Sequence, residues 1–234
     1  MRDDPRISAT KLAEYMSASF ARKRAILQEQ KYPQAVVMVR WGAAERPIAQ
    51  FVAQGNSDIG FIDKHIDQLL KQNPDTEFKQ QNRDLCVGAL KSFKLLSNQL
   101  DFTKFSTSLG PTQKSLPVPI SGVDVSVLPQ VLLQGITKNG TRIVGGVKFS
   151  FPKTYPLDGE SAAYLSVLVH WHCEYHLAPM GRADLRLCRA IDVPTATAFA
   201  PPKSYKRKRQ QLEEACNEIT QRWPNVPPPD DSDD

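Results

Sequence analysis

Hydrophobic positions change their period about halfway along the chain. Through the first hundred residues they fall at helical spacing. Residues 8–31 predict a helix anchored by Leu12, Met16, Phe20 and Ile26, broken by Ser17-Ala18-Ser19 into two short segments. Lys31-Tyr32-Pro33 ends it, because a residue before proline is pushed out of helical backbone. Residues 34–54 predict another helix, with Val36, Val37, Val39, Trp41, Ile48, Phe51 and Val52 apolar and Pro47 kinking or starting a segment. Gly55-Asn56-Ser57-Asp58 is a turn. Phe61, Ile62, His65, Ile66, Leu69 and Leu70 then form one stripe over 61–72. Leu85, Val87, Leu90, Phe93, Leu95 and Leu96 mark a further helix over 79–98.

Beyond a loop of turn formers at 106–117, the period becomes two. In 123–133 every odd position is apolar or proline, from Val123 through Pro129 to Leu133. In 143–151 the odd positions are Ile143, Gly145, Val147, Phe149 and Phe151. A short strand over 116–121 precedes this pair, and Thr137-Lys138-Asn139-Gly140 joins it. Opposed residues of an antiparallel pair share a face, so odd must face odd. A two-residue turn at Asn139-Gly140 violates this unless a bulge intervenes. A three-residue turn over 138–140 satisfies it and sets Gln130 opposite Lys148. Residues 158–177 predict a helix capped by Asp158, with Leu165, Leu168, Val169, His172 and His176 on one side. A strand over 184–193, a Pro201-Pro202 linker and a helix over 205–223 follow. The expected fold is α+β: a helical region (1–105) packed on a small mixed sheet flanked by helices (116–223), with a disordered acidic tail (224–234).

Composition narrows the class. The 234 residues are 41% hydrophobic, enough to bury a core, and no apolar run approaches a membrane span. Met1-Arg2-Asp3-Asp4 lacks a signal peptide's apolar core, which points to the cytoplasm. Cys86, Cys173, Cys188 and Cys216 are widely spaced, and we expect them reduced and mostly buried. The formal charge is +5, yet Asp230-Asp231-Ser232-Asp233-Asp234 alone holds four acids, and without it the charge is +9. A basic body suits a polyanion, with the acidic segment its mimic or competitor. A plain solvated surface explains the same pattern.

Three groups carry candidate chemistry. The order helix, three strands, helix, strand, helix over about 80–195 resembles the PD-(D/E)XK nuclease superfamily, the restriction-endonuclease-like fold. That family carries Pro-Asp on one hairpin strand and acid-x-Lys on the next. Its two carboxylates bind Mg²⁺, which activates a water, and the lysine orients or polarises it. The matching segments here are Leu128-Pro129-Gln130 and Gly146-Val147-Lys148, so proline and lysine are present and both metal ligands are missing. Asp124 is six residues from Gln130, roughly 20 Å along a strand, too far to share its coordination shell. The resemblance thus implies a degenerate site at Lys148, Gln130 and Asp124.

The second group is His172 and His176, one helical turn apart, the spacing of a zinc-type chelate whose third ligand would be Cys188 or Glu160. A polar helix end also explains it, where histidine complements the dipole. The third is the basic run Lys203, Lys206, Arg207, Lys208, Arg209 with Tyr205 among them, extended by Arg22, Lys23 and Arg24. Such a run neutralises phosphates and offers a stacking ring, and it equally suits a solvated helix start.

No P-loop, GxGxxG or GxSxG motif is present, and no cofactor is expected. The expected function is a non-catalytic protein associated with DNA or RNA, or a component of a protein complex, with no membrane partner. The resemblance alone suggests bacterial mobile-element or phage biology. One alternative is an active Mg²⁺-dependent nuclease using Lys148 with acids from helices, such as Asp84 or Glu160. The other is a protein–protein adaptor.

Overall fold

An 18-residue helix buried on all sides organises the molecule. A computed structural model describes residues 1–33, 41–55, 58–111, 117–152 and 154–229. In it α6 (Gly159–His176) buries every residue from Ser161 to His170, together with His172 and Cys173. The sequence stripe predicts one buried side. The helix is buried on every side through Cys173 because the larger sheet covers one side and the smaller sheet with its helices covers the other. Asp158 caps it as expected: its carboxylate accepts from Ser161 N at 2.7 Å and Glu160 N at 3.1 Å.

The larger sheet lies on one side of α6. Its strand order is β2 (Ser106–Leu109), β5 (Val131–Ile136), β6 (Arg142–Ser150), β8 (Arg189–Asp192) and β9 (Thr197–Phe199), and β7 (Arg182–Ala183) also pairs with β6. β5 and β6 are antiparallel, whereas β6 and β8 are parallel. Gly145 has no room for a side chain, since a Cβ there would lie 2.3 Å from the Leu187 Cβ.

The smaller sheet orders β1 (Arg6–Ser8), β4 (Val123–Ser126) and β3 (Val118–Ile120). With α1 (Ala9–Ser17), α2 (Phe20–Lys31) and α7 (Lys206–Arg222) it forms a core against α6, centred on Ile7, Leu12, Val125, Leu168 and Ile219. A second core joins α3 (Gly42–Ala53), α4 (Gly60–Leu70) and α5 (Glu77–Ser97) to the other face of the larger sheet. It contains Ile48, Leu90, Phe93, Val147 and Phe149, and the Phe93 ring meets Phe149 edge-on at 6.2 Å. The architecture is α+β.

Several boundaries differ from expectation. Residues 1–33 join the C-terminal half rather than the other early helices, because β1 pairs with β4 and α1 packs on α6. The segment 123–133 is two strands in different sheets, divided at 127–130. Residues 106–109, expected as loop, form β2. The expected disorder from 224 does not hold through 229: Val226 is buried, and Lys31 Nζ donates to the Trp223, Pro224 and Val226 carbonyls at 2.7, 3.1 and 3.4 Å. The expected helix over 34–40, most of the loop at 112–116, the turn residues 56 and 57 and the acidic segment 230–234 lie outside the described residues. Among the described residues no helix is long and apolar enough to cross a membrane.

Candidate functional site

The ladder of β5 on β6 keeps the expected parity and three-residue turn but stops at Val131 and Val147, and Gln130 N donates to Val147 O at 2.9 Å rather than pairing with Lys148. Val131 pairs with Val147 and Ile136 with Arg142, and Thr137 N donates to Thr141 O at 2.9 Å across the turn. β5 starts at Val131 while β6 runs on to Ser150, so the ladder has ended where Phe149 N–H faces outward. The Gln130 side chain extends it. Its Oε1 accepts from Phe149 N at 2.9 Å, and its Nε2 donates to Glu45 Oε1 at 2.6 Å. Glu45 sits in the first turn of α3, where its charge suits the helix dipole. One amide therefore ties the first helix over the sheet to the central hairpin.

Lys148 is the cation of this cluster. Burial pushes its ammonium below the usual lysine pKa, and the Glu45 carboxylate pulls the other way. Sequence reasoning left Glu45 out. It precedes Gln130 by 85 residues, and nothing in its local pattern separates it from other helix-start acids.

The cluster does not fit the divalent-metal site that the nuclease resemblance implies. Gln130 spends its carbonyl oxygen on Phe149 and its amide hydrogen on Glu45. Gly146 cannot regain a carboxylate: a Cβ would lie 2.9 Å from Pro129 Cβ and 3.3 Å from Val169 Cγ1. Glu45 is then the single carboxylate of the group, one of its oxygens is taken by the Gln130 amide, and the Lys148 cation beside it opposes a second positive charge. Asp124 lies exposed in β4 of the smaller sheet, opposite Arg6 and Pro119, whereas Gln130 immediately precedes β5 of the larger one. Asp84 is exposed on α5 and pairs with Arg83 at 2.8 Å, and Glu160 lies 3.9 Å from Lys208. Neither acid is among the groups that act on Lys148.

His172 and His176 face each other at 4.9 Å between ring centroids. Burial, and secondarily His176, lowers His172 to about 4. No group of three His, Cys, Asp or Glu able to hold a metal occurs among the described residues, so neither Cys188 nor Glu160 completes this pair. None of the four cysteines is in a disulfide, and all four are buried.

The basic run is divided by its surroundings. Arg209 pairs with Glu174 and lies 4.5 Å over Trp171 and 5.1 Å over Tyr205. Tyr205 also packs on His170 at 4.9 Å, so its ring serves the protein. Lys208 sits 3.9 Å over Tyr164. Lys203, Lys206 and Arg207 remain exposed. Arg22 is held by Glu14 and Glu29 at 2.6 Å each, and Lys23 lies 4.8 Å over Tyr15, leaving Arg24 exposed. Arg24 lines a groove with Gln221 and Arg222, at the far end of α7 from Lys206. Sixteen residues of helix, about 24 Å, separate the two exposed groups. No family model matches the chain, and no curated protein matches it.

Proposed function

We propose that the protein is a non-catalytic nucleic-acid-associated protein on a degenerate nuclease-like scaffold. The observation that carries this is the double engagement of Gln130: a structural amide stands where the nuclease resemblance would put a metal ligand. Alone, that amide argues only against metal-dependent cleavage. The choice of a polyanion rests on exposed Lys203, Lys206 and Arg207 beside an overall charge of +5.

The test is anisotropy of labelled single- and double-stranded DNA and RNA at two salt concentrations, with Mg²⁺ and with EDTA, followed by a gel of every sample. Salt-sensitive binding with intact oligonucleotide is expected. Mg²⁺-dependent cleavage would overturn the non-catalytic assignment. Absence of binding to all four would overturn the nucleic-acid assignment and favour an adaptor.

A further inference from the structure

A small pocket on the smaller sheet gathers two arginines without a carboxylate. It has a volume of about 170 Å³ and is lined by Arg2, Arg6, Ile7, Ser8, Gln30 and Ser126. At about 30 Å³ per water, that is room for about six waters or one tetrahedral oxyanion with part of its shell. Both arginines are half-buried, and each has one N–H group engaged: Arg2 Nη1 on Gln30 O at 3.1 Å, Arg6 Nε on Ser126 Oγ at 3.2 Å. Among the described residues their other N–H groups have no acceptor. Burial disfavours the Arg2 cation, and Arg6 repels it further. Arg2 N donates to Lys31 O at 2.8 Å, which holds the main chain of Arg2 beside the pocket. The acids between the two arginines, Asp3 and Asp4, are exposed and do not line the pocket; Asp124 is opposite Arg6 by register, and Arg6 turns to Ser126 instead. Two convergent guanidiniums without a carboxylate suit a phosphoryl group, which accepts forked donors.

We propose that Arg2 and Arg6, with Ser126 positioning Arg6, form a binding site for a phosphoryl group, either free phosphate or the terminal phosphate of a larger molecule. The site is independent of the nucleic-acid assignment and lies apart from Gln130 and Lys148. The test uses the full chain and inorganic phosphate, read by thermal melts and calorimetry against chloride at matched ionic strength. Phosphate should raise Tm where chloride does not. Arg2→Gln and Arg6→Gln should each weaken the affinity by about tenfold or more. The main-chain bonds of both residues remain in these variants, and melts in chloride check that they fold. A 5′-phosphorylated oligonucleotide that competes with phosphate, where its 5′-hydroxyl counterpart does not, identifies the terminal phosphate of a larger molecule as the source. Equal failure of both oligonucleotides leaves free phosphate. Equal response to phosphate and chloride, or full binding by both variants, would overturn the site. Phosphate binding that appears only after deletion of residues 230–234 would overturn it too, since that acidic segment would then be the occupant.

Discussion

Replacing Gln130 tests whether this position is a structural tie. In Gln130→Ala the Phe149 N–H loses its acceptor, and an unsatisfied buried amide costs about 1–3 kcal/mol. The charge-assisted bond to Glu45 is lost as well, contributing less because Glu45 is half-exposed and water replaces the amide. The sum is about 1–4 kcal/mol, a fall of about 2–8 °C in Tm for a chain of this size. Gln130→Glu separates the tie from a metal site. It keeps the acceptor for Phe149 but sets a second carboxylate where the amide now meets Glu45 at 2.6 Å. Like charges at that range raise the pair's pKa. A carboxyl whose folded pKa is raised loses stability as pH climbs from its unfolded value, about 4.3, towards the folded one. The variant should therefore be least stable near pH 8 and regain stability by about pH 4, relative to the unsubstituted protein. Urea melts of both variants at pH 4 and pH 8, with Mg²⁺ and with EDTA, measure this. An unchanged Tm in Gln130→Ala refutes the tie. Specific stabilisation of the unsubstituted protein by Mg²⁺ refutes the conclusion that these residues do not suit a divalent ion.

Gly146→Ala should cost about 1–3 kcal/mol in a urea melt, because its methyl would press on Pro129 and Val169. Asp158→Ala should cost about 1 kcal/mol through the lost α6 cap. Hydrogen bonding, led by the Ser161 N–H, holds the Asp158 carboxyl below its usual pKa, so this contribution is present above about pH 4 and lost as pH falls through the folded value. His172 behaves differently: its folded pKa of about 4 lies below an unfolded value of 6.5, so the unfolded chain takes the proton first. Stability should fall as pH drops from about 6.5 to 4, by at most about 3 kcal/mol, and His172→Phe should flatten melts over that window. Lys206→Gln with Arg207→Gln should lower the salt slope of DNA or RNA binding by up to about 2 at unchanged Tm, whereas Arg209→Gln should lower Tm, since Arg209 is bound to Glu174 and Trp171.

What could be read from the chain alone was local. Parity of apolar positions and a three-residue turn suffice to set the register of β5 on β6, because side chains alternate strictly and antiparallel partners share a face. Serines at 17 and 19 mark the division between α1 and α2, and Asp158 marks the start of α6, because caps act within three residues. Tertiary structure decided the rest. The odd-position pattern of 123–133 continues through a break, since Val123 and Val125 alternate against one core and Val131 and Leu133 against the other. α6 reads as one-sided until two sheets enclose it. The basic run reads as uniform until Glu174, Trp171 and Tyr164 engage two of its members. Glu45 reaches Gln130, and Arg2 joins Arg6, only because chain folding makes neighbours of groups that no sequence period relates. Periodicity reports which face is buried; what each face meets is a long-range property.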